Sequence, residues 1–252
     1  LHILYTLLFI WLLPVTSNGQ PAGKEKLRVI SYNIWNGFEH DASRRANFIN
    51  WIKGQQPDIL AMTELVGFTE KDLGQLASEY GHKYYAIVKE EGYPVGITSN
   101  EPITVVKKQM EGFWHGMLHV KTHGLDMIVT HLSPHDWKFR LKEAQMLTSY
   151  IQDNQLDNCM VMGDFNAYSP FDADWVETHA QLIENMQKWD AEQEAYRNMR
   201  DGRFDYSVLS KFLSIGLTDI CRLYVPADKR TTFPAAFLYG WQHGDTRLHG
   251  IG

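Results

Sequence analysis

Cysteine is nearly absent: the 252 residues contain two, Cys159 and Cys221. That excludes a disulfide scaffold, and neither residue has metal-ligand spacing. Both sit in apolar runs, so buried free thiols are expected. No Pro/Ser-rich linker interrupts the chain, no segment repeats and none is of low complexity, which leaves one domain with a substantial core. Positive charge is in deficit, with Lys and Arg at 24 against Asp and Glu at 30 and a net charge of −6. A domain that grips long nucleic acid by neutralising phosphates is more often basic, so this balance counts mildly against that mode. A long apolar run is also missing. Residues 1–15 are apolar but too short to span a bilayer comfortably, and Thr16-Ser17-Asn18-Gly19-Gln20 after them suits a cleavage region. Residues 1–19 are therefore expected to be a signal peptide, and the mature protein to be secreted or periplasmic with no stable membrane span. With no initiator Met and no basic stretch before the run, the amino terminus is expected to be clipped.

What is present is a packed globular composition, 44% hydrophobic and 21% charged with 8 Trp, 12 Tyr and 12 Phe. Residues 27–34 alternate and are β-rich, giving a first strand with Asn33 near its carboxyl end. A helix follows, with Ala46, Ile49, Trp51 and Ile52 on its apolar face and stops at Gly54 and Pro57. Residues 58–64 form a second strand that ends in Glu64, completing a βαβ pattern. After a helix at 69–80, short β-rich runs at 84–88, 95–99, 103–107, 114–120 and 125–130 imply antiparallel pairing, the last ending in His131. A helix at 137–153 carries Leu141, Ala144, Leu147 and Ile151 on one face. The run from Cys159 to Met162 reads as a buried strand stopped by Gly163, beyond which Asp164 and Asn166 project the same way. Residues 172–200 look helical, 205–216 helical, and 217–225 a strand.

Polar groups thus collect at four strand ends: Asn33, Glu64, His131, and Asp164 with Asn166. Carboxylates and amide oxygens suit a hard cation such as Mg²⁺, which keeps several waters and takes one or two protein carboxylates. His and Asn can hydrogen-bond a phosphoryl oxygen, and an Asp can orient or deprotonate a water. The set matches metal-assisted phosphoester hydrolysis. Taken singly, each residue has a plainer role: Asn33 and Asn166 as turn formers, Glu64 as a surface charge, His131 as an interior His and Asp164 as a helix cap.

Five segments resemble, in order, the endonuclease/exonuclease/phosphatase superfamily: Ser31-Tyr32-Asn33-Ile34-Trp35-Asn36, Pro57-Asp58-Ile59-Leu60-Ala61-Met62-Thr63-Glu64, Ile97-Thr98-Ser99-Asn100-Glu101-Pro102-Ile103, Val129-Thr130-His131-Leu132 and Gly163-Asp164-Phe165-Asn166-Ala167. The resemblance implies an α+β, DNase I-like four-layer sandwich: two packed mixed β-sheets with helices on both outer faces. It implies Mg²⁺, with Mn²⁺ as the other candidate. Glu64 would be the main ligand, with Asn33 in or beside the metal shell. Asp164 would position the attacking water, Asn166 hold the phosphoryl group and His131 stabilise charge in the transition state. Trp35, Asn36 and His135 are candidates for the substrate groove. His40, His82, His115, His119, His123 and His179 are expected to be structural.

The family's closing motifs do not follow. Arg203-Phe204-Asp205-Tyr206 looks like its Arg-x-Asp-Tyr strand but precedes Gly216-Leu217-Thr218-Asp219, which in the family comes first, so it is read as a decoy. Ser-Asp-His is missing, and Asp245 and His249 sit in a Gly-rich tail without strand pattern. The expectation is a domain over 20–252 that lacks its last strands, so that the chain as given is inactive or nearly so. The expected substrate is a small or lipid-derived phosphoester acted on by a monomer. A DNA or RNA nuclease is the alternative within the family, and a non-catalytic binding protein on the same fold is the alternative outside it.

Overall fold

The computed structural model describes residues 26–193 and 195–230. The expected signal peptide at 1–19, and Asp245 and His249, lie outside the described residues. Two four-stranded sheets pack face to face. The first contains β1 (Val29–Asn33), β2 (Ile59–Thr63), β3 (Tyr84–Ile87) and β4 (Gly96–Ser99) in the order β1-β2-β4-β3. The second runs β5 (Thr104–Gln109), β6 (Met117–Thr122), β7 (Leu125–His131), β8 (Cys159–Asp164) in sequence order. Both sheets are mixed. β1–β2 and β7–β8 are parallel and the other pairs antiparallel, as the connections require: α1 (Ala42–Gln55) and α3 (Trp137–Asp153) carry the two parallel crossovers.

Three apolar layers hold the sandwich together. Ile59, Ala61, Val95, Ile97, Leu118, Val120, Met127, Val129 and Met162 fill the space between the sheets. Phe48, Ile49, Ile52, Leu73 and Leu76 seat α1 and α2 (Glu70–Glu79) on the first sheet. Ala144, Leu147 and Ile151 seat α3 on the second. Every residue of β2 is buried, which is why its sequence is a continuous apolar run and not an alternation. Helix starts follow local chemistry. Asp41 accepts from Ser43 N and Arg44 N, Thr69 and Asp72 form a capping box, and Asp136 accepts from Lys138 N. The expected α+β, DNase I-like sandwich is therefore the observed fold.

Several local expectations need correction. The strand expected at 217–225 is α7 (Ile220–Tyr224), because Asp219 accepts from Arg222 N and starts a helix, and its apolar residues stay in solvent. The helix at 172–200 divides into α4 (Ala173–Glu177) and α5 (Ala180–Glu192). A two-residue hairpin follows, β9 (Met199–Arg200) and β10 (Arg203–Phe204), turning at Asp201-Gly202, where both residues have positive φ. Asp205 of the decoy motif lies just before α6 (Ser207–Leu213) and accepts from Ser207 N and Oγ. On α1, Phe48 takes the core position, while Ala46 and Trp51 face outward. The strand expected at 114–120 begins at Met117, since a turn at Glu111-Gly112 is followed by a bend at Trp114-His115. Both cysteines are free and half-buried, and burial raises both thiol pKa values. Among the described residues no helix is long and apolar enough to cross a membrane.

Candidate active site

The carboxyl ends of β1, β2, β7 and β8 lie at one rim of the sandwich. Register fixes this: Asn33 pairs with Thr63, whose successor is Glu64, and His131 pairs with Asp164. Across the two sheets, the Asn33 side chain joins the rim. Its Nδ2 donates to Glu64 Oε1 at 2.9 Å and to Asp164 Oδ2 at 3.1 Å. Two carboxylates therefore share one amide nitrogen, and each keeps free lone pairs. The Asn33 Oδ1 accepts from Trp35 N at 2.8 Å, so the amide's orientation is set from both ends.

Glu64 is held in the left-handed region, φ 60°, by its neighbours. Its Oε2 accepts from Asn36 N at 2.8 Å and its carbonyl from Gly37 N. Trp35 and Asn36 thus serve the site through backbone N–H groups, while the Trp35 indole donates to Glu39 at 3.0 Å. From Trp35 to His40 every φ is positive, a conformation L-residues avoid. Gly37 is obligatory in this turn, because a Cβ there would lie 2.1 Å from the Val66 carbonyl oxygen. Backbone strain of this kind concentrates where a site over-determines it.

Gly163 does not end β8. It lies within the strand, and Asp164 is still paired. Asn166, at φ 47°, turns back. Its N–H donates to Asp164 Oδ1 at 3.0 Å and its Nδ2 to Leu132 O at 2.9 Å. Asp164 and Asn166 are thus neighbours through an Asx-type turn, in place of the strand alternation expected. The His131 Nε2 stands 3.9 Å from Asp164 Oδ2, too far for a hydrogen bond, and its Nδ1 is buried with no partner.

His115, expected to be structural, is buried beside the rim. Its ring stacks on His131 with centroids 4.3 Å apart and an interplanar angle of 30°. Burial, and then the neighbouring charge of His131 and Lys89, pull its pKa down to about 3, which holds the imidazole neutral. Beside it Tyr93 and Trp114 leave more than two fifths of their surfaces exposed. His135 is one step removed, lying 4.3 Å from Trp114 and stacked on Tyr196 at 4.9 Å. Behind these turns lies Glu143 of α3, fully buried. Burial pushes it up to about 7 against the pull of two backbone N–H bonds and Arg140. The one sequence signal for His115 was its place in Phe113-Trp114-His115-Gly116, where polar and aromatic residues interrupt a β-rich run.

The donor set fits a hard divalent cation. Glu64 and Asp164 bring carboxylate oxygens and negative charge to one point, and the Asn33 amide stands beside them with its nitrogen towards both. Among the described residues no three His, Cys, Asp or Glu side chains form a closed shell, as Mg²⁺, which retains waters, would not require.

A family model described as Endonuclease/Exonuclease/phosphatase family matches residues 30–241. A search of curated proteins finds no match. Among solved structures, an AP endonuclease from Archaeoglobus fulgidus superposes with a TM-score of 0.58 at 20% identity, covering 84% of this chain and 79% of its own. The 3′ phosphatase NExo from Neisseria, bound to a product DNA hairpin, gives 0.61 at 17% identity, covering 89% and 85%. At these identities the likeness speaks for the fold.

Proposed function

The chain belongs to the Endonuclease/Exonuclease/phosphatase family, and from that membership and the rim geometry we propose that it is a divalent-metal-dependent hydrolase of a phosphoester. The observation that carries this reading is the Asn33 amide nitrogen shared by Glu64 and Asp164, which brings two carboxylates from opposite sheets to one point. Mg²⁺ or Mn²⁺ held by Glu64, with Asn33 and Asp164 beside it, would polarise a phosphoryl oxygen and offset charge as the ester breaks.

The chain's own groups supply the rest. Asp164 orients a water for in-line attack, its Oδ1 steadied by the Asn166 N–H. Asn166 keeps one amide hydrogen beyond the bond to Leu132, and this, with the His131 ring, meets phosphoryl oxygens as they gain charge. His115 packs against the flat face of His131 and keeps water from it.

A small or lipid-derived phosphoester suits the net charge of −6 and the exposed aromatic rings of Tyr93 and Trp114. The same two rings favour a second reading, a nuclease, since exposed aromatic faces stack on bases. The apolar run at 1–15 and its polar successor support export. The test is to assay the full-length protein with Mg²⁺ on bis-p-nitrophenyl phosphate, sphingomyelin, inositol phosphates and plasmid DNA. Chelator-sensitive turnover of one of the first three without plasmid nicking is expected. Nicking as the dominant activity would select the nuclease, and no turnover of any would defeat the proposal.

A further inference from the structure

Glu143 sits in the middle of α3, on the outer face of the second sheet, and no step above uses it. Its carboxylate is fully buried and forks between two loops, with Oε1 accepting from Trp114 N and Oε2 from Ser133 N, both at 2.8 Å. Trp114 immediately precedes His115, and Ser133 follows His131 by two residues. One side chain therefore holds both backbone segments that carry the stacked rings.

The sheet itself does not provide this tie. The β6–β7 ladder ends at the pair Met117 and Thr130, so His115 and His131 lie just past its last rung. Beyond that rung, Thr130 Oγ1 donates weakly to Gly116 O at 3.3 Å. The carboxylate is the stronger link, and its two oxygens fix the spacing between the two N–H groups as separate acceptors would not. One turn earlier on α3, Arg140 Nη1 donates to Ser133 O at 3.0 Å, so the helix grips Ser133 by both its N–H and its carbonyl. The grip runs on into the site: Leu132 N donates to Asp164 O, and Leu132 O accepts from Asn166 Nδ2. A buried carboxylate is costly to keep, and a loop that needed only closing would do as well with neutral acceptors.

We propose that Glu143 is a positioning residue that sets the His115–His131 ring stack, and with it the direction in which His131 meets a phosphoryl oxygen. The second half rests on the phosphoesterase reading; the first half does not.

Glu143→Gln is the test. It preserves volume but has a single acceptor oxygen, so either way the amide lies, one of the two N–H groups faces another donor. Leu147→Ala, on the same helix and buried in the same layer, is the control for plain destabilisation. Two readouts are taken at about pH 8, where Glu143 is ionised and both its oxygens accept, and at a temperature where all variants are folded: imidazole proton shifts by NMR in metal-free protein, and kcat and KM on bis-p-nitrophenyl phosphate with Mg²⁺. The expected result is loss of the mutual ring-current shifts of His115 and His131 in Glu143→Gln alone, with kcat down about 10²-fold and KM within about twofold. Unchanged ring shifts in Glu143→Gln, or the same loss in Leu147→Ala, would overturn the proposal. If the parent shows no turnover but Glu143→Gln still loses the ring shifts, the positioning stands and the phosphoesterase reading falls.

Discussion

Replacing Gly163 with Ala should damage the fold and the site through one contact. Gly163 has φ 129°, a backbone conformation that L-residues rarely adopt, and it pairs with Thr130 in the β7–β8 ladder. A Cβ there would lie 1.8 Å from the Thr130 carbonyl oxygen and 2.9 Å from its carbonyl carbon. Those atoms belong to an interior strand and cannot step aside, so β8 must move. Strain at the new residue costs about 1–3 kcal/mol. Losing two ladder hydrogen bonds beside the displaced residue adds about 2 kcal/mol. The total of roughly 3–5 kcal/mol corresponds, for a chain of this size, to a melting temperature lower by roughly 6–20 °C. Gly124 is the comparator: its φ is also positive, 74°, but a Cβ there meets nothing within 4 Å. Thermal melts followed by circular dichroism should show a large drop for Gly163→Ala and, for Gly124→Ala, a drop of about 1–3 kcal/mol from strain alone. Since Asp164 is the next residue, the first variant should also lose its hydrolytic activity. Equal melting temperatures for the two variants would refute the close approach of β8 to β7.

Two further outcomes follow from the rim. Asn33→Ala removes the donor shared by Glu64 and Asp164 and the acceptor of the Trp35 N–H, so kcat on bis-p-nitrophenyl phosphate should fall about 10²-fold. A variant within threefold of the parent would show that the clamp is unimportant. The pH dependence of stability has two opposed limbs. His115, depressed from 6.5 to about 3, gives stability that is present above pH 6.5 and is lost as pH falls towards 3. Glu143, raised from 4.5 to about 7, gives stability that is present below pH 4.5 and is lost as pH rises through 7. Each limb is worth at most about 1.4 kcal/mol per pH unit, so they largely cancel between 4.5 and 6.5. His115→Gln should expose the Glu143 limb, with stability relative to the parent falling as pH rises from 4.5 to 6.5. A parent-to-variant gap that is constant over that range would count against a neutral, buried His115.

Much of the rim was legible in the chain because strand ends are marked twice, by the close of an apolar run and by an unusual polar residue. Glu64 after Ile59–Thr63 and His131 at the end of Leu125–His131 are of this kind. The paired sheets followed from the βαβ pattern and from the run of strands without helices between them. What could not be read locally depends on contacts far apart in sequence. His115 joins the site only because its ring meets one sixteen residues away, and Glu143 only because α3 packs beneath two loops. The strand expected at 217–225 failed for the opposite reason. A single local cap at Asp219 starts a helix there, and the apolar residues of the run lie in solvent. Asn166 was placed near Asp164 correctly but for the wrong geometric reason, since its left-handed φ replaces strand alternation with a turn.

The central claim is that Glu64 and Asp164 together make a metal-assisted phosphoesterase centre. Its most direct test is the Mg²⁺-dependent turnover of bis-p-nitrophenyl phosphate by the full-length protein, compared with Glu64→Gln and Asp164→Asn. Each substitution keeps the volume and removes one negative charge, together with one of the two hydrogen bonds that the carboxylate accepts. Chelator-sensitive turnover in the parent that drops at least about 10²-fold in both variants is the expected result. Full activity in either variant would contradict it.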